Sequence, residues 1–427
     1  MDDDVRQLAG LVAEETPKVL GDDSTIVVVG ASLAGLRAAE TLRAGGYGGR
    51  VVLVGAESHP PYDRPPLSKQ FLAGTWGLDR VRLRPPDKLA ALGLDLRLGR
   101  RATALDVVGH TVELDDGAAV SFDGAVLATG ARPRTLPGTA GVAGVFTLRT
   151  LEDSLGLRAA VTAGEGARLV VIGAGFIGSE VAATCRALGA AVTVVEALPV
   201  PLGRVLGDRV GAACAGLHRA HDVALRLGVG VTGLTTEDTP QGPVVRGVML
   251  VDGTVLPAEV VVVGIGVTPA TDWLAGSGLE LDDGVRAGPT LHVADDVVAA
   301  GDLARWRDDR LGGEVRIEHW TNAAEQGVAA ARSLLAGRAG AEPYTAVPYF
   351  WSDQYDTKIQ VIGLPRPDDE VVVVDGSLEQ GRFVALYGRH GRLAAALGFS
   401  RPRQLMRLRP LLERGATLAE ARATAQE

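Results

Sequence analysis

Cysteine is almost missing from this chain: there are two in 427 residues. Two thiols cannot build a disulfide framework. Cys185 and Cys214 are far apart and show none of the short spacings of a redox pair. A basic excess is missing as well. Lys and Arg number 43 against 52 Asp and Glu, a net charge of −9, which argues against a general nucleic-acid binder. No apolar run approaches the roughly 20 residues that cross a bilayer. No secretory pattern opens the chain, and residues 1–23 read as a short acidic, partly helical lead-in. A cytoplasmic protein away from membranes, monomer or homodimer, is expected. Cys214, His218 and His221 fall on one face if their segment is helical. They lack a fourth ligand and a partner cluster, so no metal is expected.

Glycine is plentiful, at 56 residues, and 46% of the chain is hydrophobic. That combination suits two or three packed domains with many close backbone approaches. The first such approach is "IVVVGASLAG", residues 26–35. It is one residue short of the G-x-G-x-x-G fingerprint that follows a strand and opens a helix. Gly30 and Gly35 are present, and Ser32 takes the middle position. Alone, this would read as an ordinary turn between strand and helix.

A second passage changes that reading. "TIVVVGASLAGLRAAETLRAGGYGGRVVLVGAE" and "RLVVIGAGFIGSEVAATCRALGAAVTVVEA" both run strand, glycine turn, helix, strand, acid. Each is followed by a hairpin with an Asp-Gly turn, "TVELDDGAAVSFD" and "VMLVDGTVLPAE", then by an apolar strand ending in glycine, "GAVLATGARP" and "VVVVGIGVTP". The same order twice predicts an α/β fold with two Rossmann-type nucleotide-binding domains. The second fingerprint is complete, with Gly173, Gly175 and Gly178. Glu196 stands where a carboxylate accepts hydrogen bonds from ribose hydroxyls and repels a 2′-phosphate, so NADH is favoured over NADPH. Glu57 holds the same place in the first unit, and Ser32 can donate its hydroxyl to a phosphate. Two nucleotide sites in one chain suggest electron transfer between FAD and a nicotinamide cofactor. Beyond residue 343, alternating stretches such as "KIQVIG", "EVVVVDG" and "RFVALYG" predict antiparallel strands, with helical segments after Pro402. The expected division is a discontinuous FAD domain (1–135 and 268–342), an NADH domain (136–267) and a C-terminal α+β domain (343–427).

Further stretches carry a resemblance: "PYDRPPLSK" (61–69), "LATGARPR" (127–134), "TLRTLEDS" (147–154), "AAGDLA" around Asp302, "EHWTNAAEQG" (318–327) and "YFWSDQY" (349–355). In this order the chain resembles the FAD-dependent, NADH-using ferredoxin reductases of bacterial oxygenase systems, over about residues 26–412. The resemblance implies a glutathione-reductase-like fold. It implies that Gly30, Ser32, Ala34, Gly35 and Glu57 hold the adenosine diphosphate of FAD, and that Arg64, Thr129, Gly130, Arg132 and Asp302 line the rest. Lys69 would lie by the flavin ring with Glu180 as partner, and Trp320 and Trp351 between ring and surface. The NADH set is Gly173, Gly175, Phe176, Ile177, Gly178, Glu180, Glu196 and Gly266. Lys69, Glu180, Trp320 and Trp351 are the expected catalytic residues. The expected partner is a [2Fe–2S] ferredoxin feeding an oxygenase. Arg401, Arg403, Arg407 and Arg409, or Arg80, Arg82 and Arg84, offer basic side chains for docking, but the commoner meaning of such charge is a solvated helix face. Disulfide reductases of this fold carry a C-x-x-x-x-C pair where "YDRPPLSK" stands, so dithiol relay is not expected. A reductase of a small-molecule acceptor, or a redox-sensing FAD/NADH-binding protein, are the alternatives.

Overall fold

The structure, a computed structural model, describes residues 20–426. Most of the acidic lead-in lies outside the described residues. Thr25–Val29 is a run of apolar, largely β-branched residues, which favour extended backbone. It forms a central strand, parallel to Arg50–Gly55 on one side and Gly124–Leu127 on the other. Asp95–Leu98 extends one edge, and Val297–Ala299 and His292–Ala294 the other. The inner strands are buried on both faces, so they are apolar throughout rather than alternating. On one face Ile26 and Val28 pack with Ala38, Leu42, Ala330 and Leu334 of the helices Leu33–Ala44 and Trp320–Gly340. On the other, Val27 and Val29 pack near Leu105, Val112 and Val120 of a small antiparallel sheet.

The second unit repeats the plan. Arg168–Ile172 lies between Ala191–Glu196 and Val260–Val263, all parallel, with Ala224–Leu227 and Val145–Phe146 outside them. The helix Phe176–Ala187 covers one face through Val181 and Ala182. An antiparallel sheet of Val231–Thr239, Gly242–Leu250 and Val255–Pro257 covers the other through Val245 and Val248. Both Asp-Gly hairpins form, with Gly117 at φ 81° and Gly253 at φ 83°. The strand Val231–Thr239 was not anticipated. Its polar, threonine-rich sequence lacks a clear alternation, and it is held by pairing along its whole length.

The chain passes between the units on a two-stranded ribbon. Ala131–Pro133 leaves the first unit antiparallel to Val267–Pro269, which returns. The first sheet therefore takes its strands from 25–127 and 292–299, and the second from 145–263. Five antiparallel strands follow, in the order Tyr349–Gln354, Thr357–Gly363, Arg392–Phe399, Arg382–Arg389, Glu370–Ser377. Short helices cover one face through Leu405, Leu408 and Leu411. The other face packs Phe383 and Tyr387 against Leu206, Val210 and Cys214 of the helix Gly203–Ala220. This places Tyr349–Gln354 beside both nucleotide-type units, with Phe350, Ser352 and Gln354 buried in alternation.

Candidate functional site

Both glycine turns use one backbone design. Gly30 has φ 124° and Gly173 φ 98°. A Cβ on Gly30 would stand 2.0 Å from the Ala128 carbonyl oxygen, and one on Gly173 2.4 Å from that of Gly264. At the third position, a Cβ on Gly35 would meet the Gly30 carbonyl at 1.9 Å, and one on Gly178 the Gly173 carbonyl at 2.1 Å. Only glycine fits such places. The middle position is different. Gly175 has φ −74°, and a Cβ there meets nothing within 4 Å. Ser32 sits at φ −118°, ψ −158°, ordinary extended backbone. Neither turn needs glycine in the middle, so Ser32 leaves the turn intact. Its hydroxyl makes no capping hydrogen bond. Each turn thus leads directly into a helix, whose first N–H groups are the kind that receive a pyrophosphate.

The two acids behave differently. Glu196 accepts hydrogen bonds from the N–H groups of Ala174 (2.8 Å) and Leu198 (3.0 Å), bracing the second turn. Glu57 accepts from Arg64 at 2.7 Å and from the Tyr62 hydroxyl. Arg64 in turn donates to the Arg149 carbonyl and lies over the Tyr62 ring, 5.1 Å from its centroid.

A cleft of about 1270 Å³, counted out to its open mouth, runs from the first turn to the C-terminal sheet. Ser32, Ala34, Gly130 and Asp302 line it, with Arg64. Lys69, Glu180, Phe176, Ile177, Trp320 and Trp351 line it too. Phe176, Ile177 and Glu180 belong to the helix of the second turn, so that helix starts at the cleft. Gly30, Gly35, Glu57, Thr129 and Arg132 are not among its walls, nor are Gly173, Gly175, Gly178, Glu196 and Gly266. The Thr129 hydroxyl donates to the Ala270 carbonyl at 2.9 Å. Arg132 is half exposed and pairs with Asp272. It sits on the crossing ribbon, opposite Thr268. Gly266, at φ 100°, holds in the second unit the place of Gly130, at φ 69°, in the first.

The densest polar contacts surround Glu180. Lys69 Nζ lies 2.6 Å from its carboxylate, and the two side chains are 12% and 7% exposed. Ser352 donates to the same carboxylate at 2.8 Å, Ser68 donates as well, and Gln354 donates to Ser352 at 3.2 Å. One carboxylate therefore joins the first unit, the second unit and the C-terminal sheet.

Several wall residues were missed by sequence reasoning. Asp63 accepts from the Trp320 indole N–H at 2.6 Å. Burial pushes the Asp63 carboxyl above its usual range, opposed by that indole and by nearby Lys69. Arg149 pairs with Asp302 at 3.1 Å. Glu318, His319 and Phe350 line the cleft as well. The available signals were position: Asp63 precedes Arg64, His319 precedes Trp320, and Phe350 precedes Trp351. Trp320, 36% exposed, meets Trp351 edge-on at 6.0 Å, and Tyr349 stacks on Trp351.

Most of the remaining groups have structural partners. Both cysteines are buried, which pushes their thiols up to about 12. His218 bonds Tyr355 and Ser179, and His221 stacks on Tyr355. Of the basic residues considered for docking, Arg401 pairs with Asp375, Arg409 with Glu413, Arg84 with Glu40 and Arg82 with Asp79. Arg80 lies over Trp76. Arg403 and Arg407 are exposed with no ion-pair partner among the described residues. No helix among the described residues is long and apolar enough to cross a membrane.

The pyridine nucleotide-disulphide oxidoreductase family matches residues 24–327, and the reductase C-terminal family matches residues 349–427. The ferredoxin reductase subunit of the 5,5′-dehydrodivanillate O-demethylase of Sphingobium sp. is 37% identical over 363 residues, covering 84% of this chain and 86% of the relative. Putidaredoxin reductase of Pseudomonas putida is 38% identical over 348 residues, 80% of each chain. Among solved structures, the covalent putidaredoxin reductase–putidaredoxin complex matches with a TM-score of 0.88 at 35% identity, over 95% of this chain and 100% of that one. On a repeated glycine turn, a shared cleft and these relatives, the chain belongs to the pyridine nucleotide-disulphide oxidoreductase family, within its FAD-dependent ferredoxin reductases.

Proposed function

We propose that this protein takes electrons from NADH and delivers them one at a time to a [2Fe–2S] ferredoxin that feeds a monooxygenase or a Rieske dioxygenase. The observation that carries this reading is the cleft itself. It begins at the first glycine turn, meets the helix of the second turn, and opens beside two tryptophans. Relatives bear matching names, among them the ferredoxin–NAD(+) reductase component of the anthranilate 1,2-dioxygenase system of Burkholderia cepacia. NADH as the donor sets the cytoplasm as the place of work.

FAD bound in the cleft supplies the conversion between a two-electron donor and a one-electron acceptor. The chain's own residues do the rest. The N–H groups around Ser32 and Ala34 hold the pyrophosphate, and the Arg149–Asp302 pair fixes the middle of the cleft. The second turn and Glu196 hold NADH, so that Phe176 and Ile177 guide its nicotinamide into the same cleft. Holding two reactants in one orientation supplies much of a hydride-transfer rate. Lys69 presents a fixed positive charge, and Glu180 limits where that ammonium can reach. Trp320 and Trp351 cover the mouth where an acceptor protein approaches, and Asp63 fixes the Trp320 indole. Neither thiol lines the cleft, so no step uses one.

Anaerobic stopped-flow absorbance tests this. Mixing with NADH should bleach the yellow chromophore, and adding a [2Fe–2S] ferredoxin should restore it as the ferredoxin is reduced. Bleaching with no transfer to any of several ferredoxins would put a small-molecule acceptor first.

A further inference from the structure

Glu180 is held differently at its two carboxylate oxygens. Oε2 accepts from Lys69 Nζ at 2.6 Å and from the Ser68 hydroxyl. Oε1 accepts from one donor among the described residues, the Ser352 hydroxyl at 2.8 Å. Ser352 and Gln354 are fully buried, and neither lines the cleft. Their strand, Tyr349–Gln354, pairs along its whole length with Thr357–Gly363, so both side chains stand on a rigid element. Gln354 Nε2 donates to the Ser352 oxygen at 3.2 Å. A serine hydroxyl has one hydrogen, and the amide bond leaves that hydrogen directed at Glu180. The other end of the amide, Gln354 Oε1, is shut off from solvent and has no partner among the described residues. If Gln354 only filled space, a methionine would fill it without an unpaired oxygen. What the amide accomplishes is the orientation of one hydroxyl.

We propose that Ser352 and Gln354 are positioning residues for the transfer from NADH. Gln354 orients the Ser352 hydroxyl, Ser352 holds Oε1 of Glu180, and the carboxylate so held fixes where the Lys69 ammonium stands in the cleft. The inference rests on the reading of the cleft as an FAD site. With Oε1 released, the carboxylate turns about its last bond and Lys69 follows either oxygen, so its charge no longer has one place. A charge lowers a barrier most when it is already in place as the reaction begins. The C-terminal sheet, which supplies neither glycine turn, thus orders the site through two side chains outside the cleft.

The test reads Lys69 and the reaction separately. Lys69 is one of four lysines in the chain, so its ammonium ¹⁵N signal can be assigned with Lys69→Arg. In the flavin-free protein, the Lys69 ammonium hydrogens should exchange with water several-fold faster in Ser352→Ala than in the wild type. In the flavin-loaded protein, the limiting rate of bleaching by NADH should fall about tenfold, the scale of one hydrogen bond to a charged group. The NADH concentration for half-maximal rate and the flavin content should not change. Ser352→Thr, which keeps the hydroxyl, should recover most of both effects. Gln354→Met should slow bleaching about threefold, the scale of a neutral hydrogen bond, because the hydroxyl is then free to turn. Wild-type exchange and wild-type rate in Ser352→Ala would overturn the proposal. So would a loss of flavin content in step with the rate, which would mark a purely structural role. If the wild type takes up no FAD, the FAD-site reading fails, and the exchange measurement still decides whether Ser352 positions Lys69. Should Ser352→Ala not fold, Gln354→Met decides: unchanged exchange and rate there would contradict the proposal.

Discussion

The first and second glycine turns look unequal in sequence and nearly equal in space. Gly30 and Gly173 both need positive φ, and Gly35 and Gly178 both sit where a Cβ would strike a carbonyl. The mismatch, Ser32 against Gly175, falls on the one position where neither backbone demands glycine. A fingerprint therefore has two rigid positions and one soft one. The turns differ in what lies around them. The first lines the cleft directly, whereas the second reaches it only through the start of its helix. The first acid, Glu57, is engaged by Arg64 and Tyr62, and the second, Glu196, braces its own turn.

Four groups of experiments sharpen the contrast. The joint between the units should be the most sensitive. Glu180→Ala leaves the Lys69 ammonium buried without its carboxylate, and should lower stability by about 3 kcal/mol, read as a shift in denaturant midpoint. A midpoint within error of wild type would mean that the pair does not tie the units together. Next comes coenzyme choice. Glu196→Ala combined with Ala197→Arg should reduce the preference for NADH over NADPH about tenfold in kcat/KM, since an arginine welcomes a 2′-phosphate. Glu57→Ala should leave that ratio unchanged, because it belongs to the other turn.

Acid should act on a buried imidazole behind the second turn. His218, bonded to Ser179 of the second turn's helix, has its pKa lowered by burial to about 4, against an ordinary value of 6.5. Between those values the unfolded chain binds a proton that the folded chain does not, so stability falls as pH drops from 6.5 toward 4. His218→Gln should flatten that part of the curve. A slope identical to wild type would assign the acid sensitivity to other groups. The smallest effect belongs to the soft position. Ser32→Gly and Gly175→Ser should each change stability by under about 1 kcal/mol and keep the bound cofactor. A large loss from either would show that the middle position is as rigid as its neighbours.

The repeat made the architecture legible, because strand, turn, helix and hairpin each carry local chemistry that recurs in order. The Lys69–Glu180 contact was legible only through resemblance. The two residues are distant in the chain and meet through packing of separate units. Ser352 was not read as their partner, although "YFWSDQ" alternates, and its inward side is Phe350, Ser352 and Gln354. Period two says that a polar side chain faces inward without saying what it meets. Arg132 and Thr129 follow the same logic in reverse. Both follow the strand Gly124–Leu127, beside the first turn, yet Arg132 is drawn into the crossing ribbon and the Thr129 hydroxyl to the Ala270 carbonyl. Side-chain direction at such points is set by strand pairing with a segment far along the chain, which local pattern does not carry.

The division of labour between the turns is tested most directly by measuring flavin content and NADH-driven bleaching on Gly178→Ala beside Gly35→Ala. The account predicts that Gly35→Ala is purified without flavin. It predicts that Gly178→Ala keeps a full complement of flavin, bleaches normally with dithionite, and bleaches with NADH at least tenfold more slowly, from the clash of its Cβ with the Gly173 carbonyl. A folded Gly178→Ala protein that lacks flavin, or one that NADH reduces at the wild-type rate, would contradict it.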